Sequence, residues 1–219
     1  MPESFQIPED APQGTPKALL DAALDLFGRK GFDATSTREI AAQAQTNIAS
    51  IAYHFGGKQG LHEACAAEVA RRLAEAAALG PLPQSLPAAQ AINLLEALLR
   101  RMVYFLLLGE PGAPVVPFIL REMSSGSSAA LDVLYDRVIA HKHRELCHLW
   151  AAATGQDAGS PQTRLAVFAA LGQVIYFRIG LPVIRRRMGW DTLGPTEAKA
   201  IADTVVHSLR ATIEASRTP

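Results

Sequence analysis

Cysteine is nearly absent from this chain of 219 residues: Cys65 and Cys147 stand far apart, with no C-x-x-C pair. That excludes a disulfide-stapled scaffold and leaves two small, buried thiols suited to a reducing compartment. Net charge is missing as well, since 21 basic residues face 21 acidic ones. Indiscriminate, charge-driven binding of nucleic acid usually needs a strongly basic chain, so it is not expected here. No uncharged apolar run approaches the ~18 residues of a membrane span. The opening MPESFQIPEDAPQG lacks the basic start and apolar core of a signal peptide and reads as a flexible arm over residues 1–14. A cytoplasmic protein with no membrane partner is expected. The chain also has no nucleophile elbow, phosphate loop, H-E-x-x-H or paired-carboxylate constellation, so neither an enzyme nor a cofactor is expected.

What is present is apolar content: hydrophobic residues make up 49% and charged residues 19%, enough to bury a core and to exclude disorder. The length suits one small and one larger domain. Apolar residues recur at helical spacing, with no alternating strand pattern and no internal repeat. Helices are predicted over Thr15–Lys30, over two short stretches after Ser36, and over Lys58–Leu79, Ala88–Leu108, Val115–Met123, Ser127–Ala153, Pro161–Ile179, Pro182–Met188 and Pro195–Ala215. The segment GPLPQSLP, near residues 80–87, is the strongest linker candidate. The expected fold is all-α.

The stretch STREIAAQAQTNIASIAYHFGGKQG, Ser36 to Gly60, carries the chemistry. Ser36 with Glu39 three residues on makes a capping box for a first short helix, whose buried face is Ile40, Ala41 and Ala44. Asn47 is placed to cap a second short helix over Ile48–His54. There Ile48, Ile51 and Phe55 share a core-facing side, which leaves Asn47, Ala49, Ser50, Tyr53 and His54 outward. Small outer residues let a helix sink into the major groove, and Ser, Tyr and His reach phosphates or base edges. This is helix-turn-helix spacing. Asn47, Ala49 and Ser50 are expected nearest the bases. Tyr53, His54 and Lys58 are expected at phosphates, with Ser36, Thr37 and Arg38 at the first helix N-terminus. Residues 15–60 hold five basic side chains and four acidic ones. So weak a field implies few phosphate contacts and a dependence on dimerisation. A single short recognition helix reads too few bases, which also points to a two-fold dimer on a palindromic site.

These residues resemble the DNA-binding domain of the TetR/AcrR family of bacterial transcriptional repressors. The likeness rests on LFGRKGF, S-T-R-E-I-A-A, Y-H-F-G and Lys58-Gln59-Gly60-Leu61. NIASIAYHFGGKQGL, FILREM and GQVIYFRIGLPVIRRRMGW further resemble the CecR-like branch. The resemblance implies an N-terminal DNA-binding domain over 15–60 and a regulatory and dimerisation domain over 61–219. It also implies a small, mostly apolar effector that releases operator DNA. One departure is Gln45, where the family usually has Gly; a left-handed backbone there costs roughly 1 kcal/mol.

The Pro161–Ile179 helix is apolar nearly all round and so must be buried on two sides. Phe168, Gly172 and Ile175 on it, with Ile201, Val205 and Leu209 of the last helix, are the expected dimer interface. Met102, Phe105, Phe118, Arg121, Tyr135, Tyr176 and Arg178 are the expected ligand lining, weighed against ordinary core filling. His141, His143, Cys147 and His148 include a one-turn His/Cys spacing, but four ligands on one helix cannot converge, so no metal is expected. Two function classes follow: a ligand-responsive DNA-binding repressor, and a helical adaptor that does not act on DNA.

Overall fold

The computed structural model describes residues 14–80, 86–109, 114–126 and 128–217. Its helices are α1 (Thr15–Lys30), α2 (Thr37–Gln43), α3 (Ala49–Phe55), α4 (Lys58–Ala76), α5 (Ala88–Leu108), α6 (Val115–Ser124), α7 (Ala129–Leu134), α8 (Ala140–Thr154), α9 (Pro161–Ile179), α10 (Leu181–Met188) and α11 (Pro195–Ser216). A π-helical turn, Tyr135–Ile139, joins α7 to α8. No strand occurs among the described residues. The fold class is all-α.

Local chemistry explains the bounds. α1 carries Pro near its start and ends at Gly31, whose N–H still reaches the Phe27 carbonyl at 2.8 Å and whose φ of 85° then turns the chain out of the helix. Ser160 caps α9 by accepting from the Thr163 N–H at 3.1 Å, and Pro161 follows at the first helical position. Two predicted spans need correction. The helix from Lys58 stops at Ala76, short of Leu79. The helix predicted as continuous over Ser127–Ala153 is three pieces, because the π turn at Tyr135–Ile139 adds a residue to the winding; Ser127 itself lies outside the described residues. So do nearly all of the expected arm and residues 81–85 of the expected linker.

The chain divides into two compact units. The first comprises residues up to Val69 together with Pro114–Val133, and the second comprises Ala70–Ala113 together with residues from Leu134 onward. A boundary at residue 60 therefore leaves out part of the first unit: the start of α4 and all of α6. In that unit Leu19, Leu24, Phe27, Ile40, Ile51 and Leu61 are fully buried, and Phe118 of α6 joins them. α6 lies so close to α1 that a Cβ on Gly28 would stand 3.0 Å from the Phe118 nitrogen. In the second unit α5, α8, α9 and α11 pack together, around a core that includes Leu99, Val103, Leu149, Trp150, Val205 and Ile213. Among the described residues no single helix is long and apolar enough to cross a membrane; α9 with α10 reaches that length only as a pair bent by 71°.

Candidate functional site

The capping box of α2 forms as its spacing predicts. The Glu39 N–H donates to Ser36 Oγ at 3.2 Å and the Ser36 N–H to Glu39 Oε2 at 2.8 Å. Lys30 joins from α1, with its Nζ 2.6 Å from Glu39 Oε1. The Lys30 hydrogen bond, then those from Ser36, hold the Glu39 carboxyl at about 2 against an ordinary 4.5. A depressed carboxyl adds stability that is present above its unfolded pKa and lost as pH falls through the folded one. Glu39→Gln should therefore flatten the decline in melting temperature between about pH 4.5 and about pH 2. An unchanged decline in that window would assign the acid sensitivity elsewhere.

The turn closes by a six-to-one and a five-to-two hydrogen bond. The Thr46 N–H reaches the Ala41 carbonyl at 2.9 Å and the Gln45 N–H reaches Ala42 at 3.1 Å. That geometry puts Gln45 at φ 53°, the one non-glycine residue at positive φ among those described. The left-handed slot predicted for Gln45 is occupied as expected. Asn47 Oδ1 accepts the Ala49 N–H at 2.9 Å, so the carboxamide caps α3, which begins at Ala49 and runs one residue beyond the predicted His54. Ile51 is buried. Ile48 is not: its backbone is already helical (φ -56°, ψ -31°) and its carbonyl accepts the Ile51 N–H at 3.2 Å, yet its side chain is 44% exposed at the open N-terminal end of α3.

The outer side of this motif is open. Asn47, Ala49, Tyr53 and His54 are exposed, and Tyr53 is the extreme at 85%. The Tyr53 ring rests edge-on against His54, with centroids 4.8 Å apart. Ser50 is half-buried, with its hydroxyl 3.4 Å from Thr46 Oγ1. Arg38 is exposed and Thr37 half-buried. The Ser36 hydroxyl is engaged with Glu39. Lys58 extends its Nζ over the Phe32 ring, 4.2 Å from the centroid; its charge is parked on an aromatic face, and the sequence does not reveal that shelf. Acids near the motif are occupied as well, Asp25 by Arg29 and Gln43 and Asp21 by Lys17.

Beneath the motif lies a polar group that sequence reasoning missed. His62 of α4 is 3% exposed and is enclosed by the rings of Phe27, Phe32 and Phe118. Its Nε2 lies 3.1 Å from Glu122 Oε1 of α6, and the Ser128 hydroxyl donates to Glu122 Oε2 at 2.6 Å. Burial opposes ionisation of Glu122, but the hydrogen bonds from His62 and Ser128 and the nearby charges of His62 and Arg121 outweigh it and lower its pKa. Glu122 is thus engaged by His62 and Ser128 and not by Arg121. Arg121 instead donates to the carbonyls of Gly28 and Arg29 at 3.2 and 2.9 Å, a cation on the C-terminal end of α1. Phe118 and Arg121, expected in the ligand lining, are therefore structural members of the first unit. Only the long-range pairing of α6 with α1 and α4 reveals this.

The second unit holds a cavity of about 190 Å³. Leu73 and Ala76 at the end of α4, Leu98, Met102 and Phe105 of α5, and Leu171 of α9 supply much of its apolar wall. Of the residues expected in the ligand lining, Met102 and Phe105 both border this cavity. Arg101, also on the wall, donates to the Ala78 carbonyl at 3.0 Å and ties α5 to the residues just after α4. Tyr135 lines a second depression instead. Tyr176 is exposed and Arg178 half-buried, and neither borders the 190 Å³ cavity. A helix apolar on all sides hides which residues turn inward, so these two could not be sorted from sequence.

The expected dimer surface also needs correction. Ile201, Val205 and Leu209 are buried inside the single chain, because α11 turns its branched residues toward α5. On α9 the outward residues are Leu165, Phe168, Gly172, Tyr176 and Ile179, and Ile175 is half-buried. The Phe168 ring stacks on His143 with centroids 3.9 Å apart. As for the histidine cluster, His141 pairs with Glu145 at 2.9 Å and His148 is exposed. His143 Nδ1 lies 3.7 Å from Cys147 Sγ and its Nε2 lies 3.2 Å from the Arg164 carbonyl. Burial pushes the Cys147 thiol up, against an opposing pull from Arg164, so it serves as a weak donor. Among the described residues no three His, Cys, Asp or Glu groups converge as metal ligands.

A helix-turn-helix with an exposed second helix, carried on a chain whose other unit holds an apolar cavity, defines a one-component DNA-binding regulator. Residues 19–65 match the family described as bacterial regulatory proteins, tetR family, and residues 91–216 match the C-terminal domain of the HTH-type transcriptional dual regulator CecR. The HTH-type transcriptional dual regulator CecR of Shigella flexneri is 38% identical over 199 residues, 86% of each chain. The HTH-type transcriptional regulatory protein RaaS of Mycobacterium tuberculosis is 29% identical over 166 residues, 74% of this chain and 70% of that one. Among solved structures, AibR in complex with isovaleryl coenzyme A and operator DNA superposes with a TM-score of 0.67 at 20% identity, over 90% of this chain and 98% of that one. The chain belongs to the TetR family of transcriptional regulators, in its CecR branch. It is a DNA-binding regulator, not an enzyme.

Proposed function

We propose that the protein is a dimeric, cytoplasmic repressor that holds a palindromic operator, associates with the nucleoid when bound, and is released by a small, mostly apolar effector. The observation that carries this reading is the cavity bordered by Leu73 and Ala76. The same helix, α4, begins at Lys58 directly after the recognition helix α3. An effector that fits the cavity better when the end of α4 is displaced shifts the population toward a spacing of recognition helices that no longer matches the operator. Dual action, activating at some promoters and repressing at others, is a second reading, favoured by the description of the Shigella relative as a dual regulator.

At the reading head, Asn47, Ala49 and Ser50 face the bases, while Tyr53, His54, Lys58 and the α2 start, Ser36, Thr37 and Arg38, hold phosphates. Lys58 swings from the Phe32 ring to do so. Lys58→Ala should weaken binding to all sequences about equally and lower the slope of log affinity against log salt by about one contact. A changed sequence preference at constant slope would move Lys58 to the base-reading group.

The dimer is assigned to the outward face of α9, centred on Gly172 and Tyr176, with the exposed Thr204, His207 and Ala211 of α11 beside it. A Cβ on Gly172 meets nothing within 4 Å in the single chain, so Gly172→Leu should leave the fold intact. Across a two-fold axis the added side chain is applied twice, at roughly 1–3 kcal/mol per site. Sedimentation should show a folded monomer with reduced operator affinity. A dimer that binds operator fully would place the interface elsewhere.

A further inference from the structure

Beside the apolar cavity lies a larger depression of about 540 Å³, also wholly within the second unit. Ile139, His143 and Phe168 line both. The stacked His143 and Phe168 rings therefore border both spaces, which brings the two within reach of one elongated molecule.

The two spaces differ in chemistry. The cavity is bounded almost entirely by aliphatic and aromatic carbon. The depression is bordered by Arg144 and Arg164, with His148 and Tyr135, and by no aspartate or glutamate. Other cations nearby are engaged: Lys142 with Glu145 at 2.8 Å, and Arg101 with the Ala78 carbonyl. Arg144 and Arg164 form no side-chain ion pair among the described residues. His143 has both ring nitrogens occupied, by Cys147 and the Arg164 carbonyl, so it acts as wall, not as ligand. The π turn supplies Tyr135 and Ile139 to this rim, and such turns recur at functional sites.

We propose that the effector is an anionic amphiphile: an apolar chain or ring seated in the cavity past Phe105 and Leu171, and a carboxylate or phosphate head held in the depression by Arg144 and Arg164. Two guanidinium groups without side-chain ion pairs among the described residues suit such a head, because each offers paired N–H donors matched to its oxygens. The inference rests on the effector reading above and narrows it to a ligand class.

The full chain is titrated by calorimetry with octanoate, octyl phosphate, octanol, octylammonium and acetate. The two anionic octyl probes should bind roughly ten-fold or more tightly than octanol, octylammonium or acetate, and comparing them tells carboxylate from phosphate. Arg144→Gln combined with Arg164→Gln should erase that preference while leaving octanol binding unchanged, which also reports an intact cavity. The inference is overturned if octanol binds as tightly as the anions, if acetate matches octanoate, or if the preference survives in the double variant. Operator release is followed with the same probes. Anions that bind preferentially without releasing DNA would leave this ligand class standing and sink the release mechanism. Release by octanol or octylammonium without an anion preference would do the reverse.

Discussion

Gly60→Ala should abolish operator binding by disrupting the junction of the recognition helix and α4. An alanine Cβ built at Gly60 falls 1.9 Å from the Phe55 carbonyl oxygen, a distance no real contact tolerates. The atom struck is backbone, so no side-chain rotation relieves it; either α3 or the first turn of α4 must move. The cost should exceed the ~1–3 kcal/mol of ordinary overpacking. Melting followed by circular dichroism should fall sharply and gel-shift affinity should vanish. Octanol binding to the cavity of the second unit is the control for global unfolding. Unchanged melting with unchanged operator affinity would show that this junction yields freely.

His62→Leu should be nearly as damaging. It leaves Glu122 buried and ionised with only Ser128 as a hydrogen-bond donor, and breaking a buried pair on one side costs roughly 3–5 kcal/mol. His62→Leu combined with Glu122→Leu should recover much of that loss, since two apolar groups restore the site without an unpaired charge. The pH dependence has a definite sign. Glu122 titrates below its ordinary range, so its contribution is present above the pKa of the unfolded carboxyl and is lost as pH falls through the folded one. In the double variant that part of the acid sensitivity should disappear. A double variant as unstable as the single would mean that the loss comes from packing among the phenylalanine rings, not from charge.

Much of this protein was legible from residue order alone. Ser36 and Glu39 are three apart, and a capping box needs nothing beyond that spacing; Asn47 caps α3 for the same reason. Prolines and glycines at helix ends set α1, α5 and α9 at their predicted bounds, because those residues act through their own φ angles and missing N–H groups. Even the strain at Gln45 was readable, as a turn geometry that calls for glycine and lacks one. Spacing was less reliable where a helix begins or its winding changes. Ile48 was read as helical and buried; its backbone is helical, but its side chain is exposed at the end of α3. The π turn at Tyr135 shifts the register of everything after it.

What residue order determined, then, is what neighbours in sequence determine between themselves: an all-helical chain, its caps and turns, and a helix-turn-helix with an exposed outer face. Tertiary structure decided which face of each apolar helix turns inward, because burial depends on partners far away in the chain. It gave Ile201, Val205 and Leu209 to the core of one chain and left Gly172 and Tyr176 outward. It took Phe118 and Arg121 away from the ligand and set them against α1, and it buried Glu122 on His62, sixty residues earlier in the chain. It also brought Arg144 and Arg164, from two different helices, to the rim of one depression beside an apolar cavity. Charges that meet only through folding have no periodicity to betray them.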